Sequence, residues 1–256
     1  MVSLTQLKRP FVVGVVAERD AGAARRAASA AFREGADAVE LNLASLDDDD
    51  LPGRAFFARL PGPVYTSCRR ARFMTVYGAK FRQLSARADA RRMELQLSAL
   101  VAGAAGLDLE ADTFAACADE WTRERGALRR QAEVVAAAQR ARKTVIYSWH
   151  PPRKLAWREA SRAVAALRDR GADFVKVVER VRSVSEALDS VRLSLRLRAA
   201  HDFPFVFLPL GPGAETVRPF MTAFGAAYLL ARPASGSNRL PAQPLVARAR
   251  ALLDLA

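Results

Sequence analysis

The chain has 256 residues, of which 51% are hydrophobic and 26% charged, enough to bury a large core and the usual size of one α/β barrel. No apolar run approaches the roughly 18 residues that span a bilayer, the opening MVSLTQLKRP lacks a signal-peptide core, and Cys68 and Cys117 have neither metal-ligand nor disulfide spacing. The net charge of +13 attracts phosphate, but Arg25, Arg26, Arg91, Arg92, Arg129, Arg130, Arg168 and Arg198 are spread over every predicted helix as on solvated faces, so no nucleic-acid role is expected.

In chain order, FVVGVVA (11 to 17) predicts a first strand and 21 to 34 an alanine-rich helix. AVELNL (38 to 43) follows as a strand and 48 to 60 as a helix, which the acids Asp47 to Asp50 would start through the helix dipole. VYTSC (64 to 68) is the third strand and 80 to 102 a long helix; GLDLEA (106 to 111) is the fourth strand and 120 to 141 its helix. TVIYSWH (144 to 150) is the fifth strand, stopped by Pro151 and Pro152.

The second half keeps the rhythm: helix 154 to 170, strand DFVKVVE (173 to 179), helix 183 to 200, strand FVFLPLG (205 to 211), helix 215 to 224, strand 226 to 231 and a last helix 244 to 255. Eight short apolar strands, each followed by a helix, predict one domain, a (β/α)8 TIM barrel over 1 to 256. An open doubly wound sheet lacks its signature here, because no GxGxxG follows the first strand. The fragments REGADAVELN and DRGADFVKVV resemble each other as repeated helix-to-strand units would.

In such a barrel the chemistry sits at the carboxyl ends of the strands. Those ends carry Glu40 and Asn42, Arg69, Asp108 and Glu110, His150, Lys176 and, past strand seven, Arg218. Lys176 stands out, since the other lysines, Lys8, Lys80, Lys143 and Lys154, lie at polar edges while it is flanked by Val175, Val177 and Val178. A desolvated lysine is pushed toward its amine form, which attacks carbonyls to give imines. His150 can take and return a proton near neutral pH, as enolisation or β-elimination beside an imine requires. The plainer alternatives are a Lys176–carboxylate pair, Glu110 as an ion-pair partner inside the barrel, and His201 as a solvated connector.

Over nearly its whole length the chain resembles the type I 3-dehydroquinate dehydratases. GADAVELNL, YTSCRR, GLDLE, SWH, GADFVK, LPLGPGAETVR, FGAAYLLA and RLPAQ follow that family's motifs in order. The resemblance implies a cofactor-free, metal-free, cytoplasmic homodimer that dehydrates 3-dehydroquinate, a small carboxylated keto substrate, without membrane attachment. It makes Lys176 the imine-forming amine and His150 the general acid and base. Arg218 would clamp the carboxylate, and Glu40, Arg69 and Gln243 would orient ring hydroxyls.

The chain departs from that pattern within the pocket. Asn42 replaces an arginine, Phe73 an acid that orients the histidine, Leu208 and Leu210 a methionine pair, and Arg239 a serine after a two-residue insertion. These changes leave two alternatives beside the dehydratase: a Schiff-base lyase or aldolase acting on another acidic keto compound, with Asn42 and Arg239 among its substrate contacts, and a non-catalytic ligand-binding barrel.

Overall fold

A computed structural model describes residues 3–47, 51–70, 85–238 and 240–255. Its strands are β1 (Phe11–Val16), β2 (Ala38–Asn42), β3 (Val64–Ser67), β4 (Gly106–Glu110), β5 (Thr144–Trp149), β6 (Phe174–Arg180), β7 (Phe205–Leu210) and β8 (Tyr228–Ala231). All ladders are parallel, in the order β7-β6-β5-β4-β3-β2-β1-β8. The ends of that order approach each other, and the Ala227 amide just before β8 donates to the Phe205 carbonyl of β7 at 2.7 Å. The result is a nearly closed eight-stranded barrel.

The helices are α1 (Ala21–Arg33), α2 (Arg54–Ala58), α3 (Ala86–Ala102), α4 (Arg125–Arg140), α5 (Trp157–Asp169), α6 (Val184–Ala200), α7 (Ala214–Val217) and α8 (Val246–Asp254). Side-chain oxygens cap several of them, as Asp20 does for the Ala23 amide, Ser85 for Ala88 and Ser183 for Glu186. Several predicted helices are shorter than expected, three of them for a visible reason, and residues 80–84 of the helix expected over 80–102 lie outside the described residues. The acid run does not start α2: Asp48 to Asp50 lie outside the described residues, and α2 begins only after Pro52 and Gly53. The segment from Glu120 stays irregular because Glu120 has φ +55°, so α4 starts at Arg125 with Glu124 capping the amides of Gly126 and Ala127. Past α7 the chain tightens into a 3-10 turn, Arg218–Phe220, where Pro219 cannot donate a helical hydrogen bond.

Strand alternation divides the core in two. Val12, Val39, Leu41, Leu107, Leu109, Val145, Val175, Val177, Phe205 and Phe207 pack outward under the helices, against residues such as Ala28, Leu100, Ala138, Val164 and Leu197. Phe11, Val13, Val15, Tyr65, Ile146, Phe174, Val178, Val206, Leu208 and Tyr228 fill the interior. Phe11, Phe174 and Tyr228 close its amino-terminal end, with ring centroids 5.2 to 6.0 Å apart. Gly106 lies on the interior side of β4, where a Cβ would meet the Thr144 carbonyl oxygen at 2.4 Å. Among the described residues no helix is long and apolar enough to cross a membrane.

Candidate active site

The same alternation explains Lys176 differently from its sequence neighbours. Val175 and Val177 face the helices, so of the three valines near Lys176 in sequence only Val178 shares its side of the strand. Lys176 points into the barrel between Phe174 and Val178 and is 2% exposed. What it meets there is polar. Nζ forms an ion pair and hydrogen bond with Asp108, and Glu40 Oε2 lies 3.7 Å away. Ser148, the register partner of Lys176 on β5, donates to the other Asp108 oxygen. The Tyr65 hydroxyl donates to Glu40 Oε2 at 2.7 Å. Burial, with Glu40 close by, holds the Tyr65 phenol well above its usual range, so it stays a proton donor. A buried ammonium is thus held by two carboxylates that are themselves hydrogen-bonded, the arrangement that makes burial of charge tolerable.

His150 follows β5 two residues after Ser148 and faces the same interior. Its Nε2 lies 2.7 Å from Arg69 Nη1. Burial, then the positive charges of Arg69, Lys176 and Arg218, hold the imidazole well below its usual range. Arg69 Nη2 reaches Glu110 Oε1 at 3.1 Å, and the second Glu110 oxygen pairs with Arg92 of α3. Glu110 is therefore an ion-pair partner within the barrel mouth.

Arg92 corrects the assignment of the arginines to solvated helix faces. It is 1% exposed, donates to the Cys68 carbonyl through Nε and pairs with Asp89 at 2.7 Å. Asp89 also binds Arg70, which bridges to Asp112. Against the burial that would raise it, the Arg70 and Arg92 guanidiniums hold the Asp89 carboxyl below its usual range. Arg69, Arg70 and Arg92 thus alternate with Glu110, Asp89 and Asp112 in one buried network behind the site. The sequence signal for it was positional: Asp89, Arg92, Met93, Gln96, Ala99 and Leu100 share the buried face of α3.

The other predicted site residues separate into those near this cluster and those held elsewhere. Arg218 is buried at the 3-10 turn beyond β7, and its charge acts on His150. Asn42 is buried, and its side-chain oxygen caps the Ala44 amide at 3.0 Å. Gln243 lies beyond β8, its Oε1 accepting from Asn238 Nδ2 at 2.6 Å, while Asn238 also donates to the Val15 carbonyl of β1. Glu18, past β1, ties down the same segment by accepting from the amide and hydroxyl of Ser237. Arg239 and Phe73 lie outside the described residues. His201 is half-buried at the end of α6, its Nε2 2.8 Å from the Ser161 hydroxyl, and is no freely solvated connector.

Sequence reasoning placed Asp108 at a strand end without a role and missed Ser148, Tyr65 and Arg92. The i, i+2 spacing of Asp108 with Glu110, and of Ser148 with His150, was the available signal, since residues two apart on a strand share a face. Among the described residues no group of three or more His, Cys, Asp and Glu side chains is arranged to hold a metal ion.

The sequence model described as Type I 3-dehydroquinase matches residues 11–256. No curated protein matches the sequence significantly. Among solved structures, 3-dehydroquinate dehydratase from Geobacillus kaustophilus superposes with a TM-score of 0.76 at 17% identity, covering 99% of this chain and 95% of that one. The type I 3-dehydroquinate dehydratase from Clostridium difficile gives 0.76 at 15% identity, covering 97% and 92%. The enzyme from Enterococcus faecalis gives 0.72 at 15%, covering 90% and 93%. At these identities the structural likeness speaks to the fold alone.

Proposed function

Since the chain belongs to the type I 3-dehydroquinase family, we propose that it is a Schiff-base carbon–oxygen lyase that dehydrates 3-dehydroquinate to 3-dehydroshikimate. The observation that carries this is one buried lysine inside the barrel, paired with Asp108 and Glu40, with His150 just past the end of the adjoining strand. Asp108 takes the ammonium proton. The freed Lys176 amine adds to the ring ketone, and loss of water from the carbinolamine leaves a protonated imine. That imine draws electrons from the neighbouring carbon, whose proton passes to His150. As the carbon–oxygen bond beyond breaks, the hydroxyl leaves as water with a proton returned by His150, and hydrolysis of the imine releases the enone and the lysine.

Arg218 supplies the cation for the substrate carboxylate, and Glu40, Arg69 and Gln243 meet ring hydroxyls. The scheme calls for no metal or organic cofactor. Borohydride trapping tests it: after incubation with 3-dehydroquinate and reduction, mass spectrometry should find the adduct on Lys176, with enone absorbance growing in unreduced samples. No adduct with any keto acid would remove the catalytic reading.

A second reading has one specific observation in its favour. The Asn42 oxygen is engaged by the Ala44 amide, which leaves this side chain one acceptor lone pair and its amide nitrogen to meet a ligand, and no charge. A site with different donors rejects substrates whose groups it leaves unpaired. Trapping at Lys176 by another acidic keto compound, without enone formation from 3-dehydroquinate, would identify a same-fold lyase or aldolase.

A further inference from the structure

We propose that Glu110, fixed from behind by Arg92, is a positioning residue that aims the Arg69 guanidinium at Nε2 of His150 and so decides which imidazole nitrogen carries the proton. An arginine side chain only donates. At 2.7 Å from Arg69 Nη1, Nε2 must therefore be the lone-pair nitrogen, and the proton of the neutral ring sits on Nδ1. Nδ1 is buried and meets no hydrogen-bond partner among the described residues, so nothing on that side competes to set the tautomer.

The direction of Arg69 is over-determined. Its second nitrogen is held by Glu110 at 3.1 Å, and Glu110 is held by Arg92, whose other two guanidinium nitrogens bind Asp89 and the Cys68 carbonyl. The charged groups that act on the imidazole are Arg69 from the end of β3, Lys176 from β6 and Arg218 beyond β7, with Glu110 of β4 behind Arg69. All three charges that act on the imidazole are positive, and one of them, Arg69, touches it. The ligand-free protein therefore stores its base neutral, with the basic nitrogen covered by a guanidinium. A substrate hydroxyl that engages Arg69 uncovers that nitrogen as it binds, so the base becomes available when there is a proton to remove. This rests on His150 being the base.

The chain has two histidines, so nitrogen-15 labelling of histidine reads the arrangement directly in the free protein, whether or not it is active. His150 should show the Nδ1–H tautomer at neutral pH. Glu110→Gln should convert it to a tautomer mixture, and Arg69→Met, which leaves the Glu110–Arg92 pair intact, should do the same and raise the titration midpoint. His201, bonded to Ser161, should keep its signals in every variant and so reports on folding. An Nε2–H tautomer in the unsubstituted protein would overturn the proposal. So would an unchanged tautomer and midpoint in Arg69→Met, the variant that keeps the test decisive if Glu110→Gln does not fold. Loss of lyase activity with these spectra as expected would count against the proposed function, not against this assignment.

Discussion

Lys176 and Asp108 form an ion pair across the barrel interior, from β6 to β4, with side chains 3% and 1% exposed. Breaking such a pair from one side leaves an uncompensated buried charge, at about 3 to 5 kcal/mol. Asp108→Ala should destabilise by about 3 kcal/mol, the low end, because Glu40 still faces the ammonium at 3.7 Å. Lys176→Met combined with Asp108→Ala should be less destabilised than the sum of the two single changes, in urea unfolding monitored by circular dichroism. Strict additivity would mean that the pair is not coupled.

Two arginines adjacent on α3 should behave oppositely. Arg91 pairs with Glu94 where the side chains are 48% and 63% exposed, and Arg91→Ala should cost under about 1 kcal/mol. Arg92 is buried between Glu110 and Asp89, and Arg92→Met should cost about 3 to 5 kcal/mol. Equal melting temperatures for the two variants would contradict the network described.

Tyr65→Phe removes the hydroxyl that donates to Glu40 without changing ring packing. A hydrogen bond to a charged acceptor contributes about 1.5 to 3 kcal/mol, and the melting temperature should fall accordingly. Since Glu40 is assigned to orient substrate, KM should rise more than kcat falls. A fall confined to kcat would place the effect on Lys176 instead.

The pH dependence follows from His150. Its folded-state pKa lies well below 6.5, because burial and three cations disfavour the imidazolium. Between that folded value and 6.5 the unfolded chain holds more protons, so stability rises with pH across the window and is lost as the solution is acidified through it. His201 is lowered too and adds with the same sign. Urea midpoints should fall on acidification below about pH 6.5, and His150→Gln should flatten that slope. The acid limb of kcat/KM, which reports the free enzyme's base, should likewise lie below 6.5. A limb at or above that value would show the base charged in the free protein.

Much of the site was legible because strand ends and i, i+2 spacing are local properties. Glu40, Asp108, Glu110, His150 and Lys176 could all be placed at carboxyl ends from the alternation of strands and helices alone. The partners of those residues could not. Arg69 meets His150 across 81 positions and Lys176 meets Asp108 across 68, distances over which a single sequence carries no pairing signal. Arg92 misled for a related reason: mid-helix arginines are usually solvated, and only docking of α3 against β3 and β4 puts this one in the interior.

By itself the sequence determined the eight-stranded barrel, the order of its elements and the strand ends that carry chemistry, because hydrophobic periodicity is set by neighbouring residues. Tertiary structure alone decided that Lys176 faces carboxylates, away from Val175 and Val177, and that His150 faces a guanidinium. The reason is geometric. Successive side chains on a strand point to opposite faces, so the environment of each inward group is made by other strands, brought together only when the barrel closes.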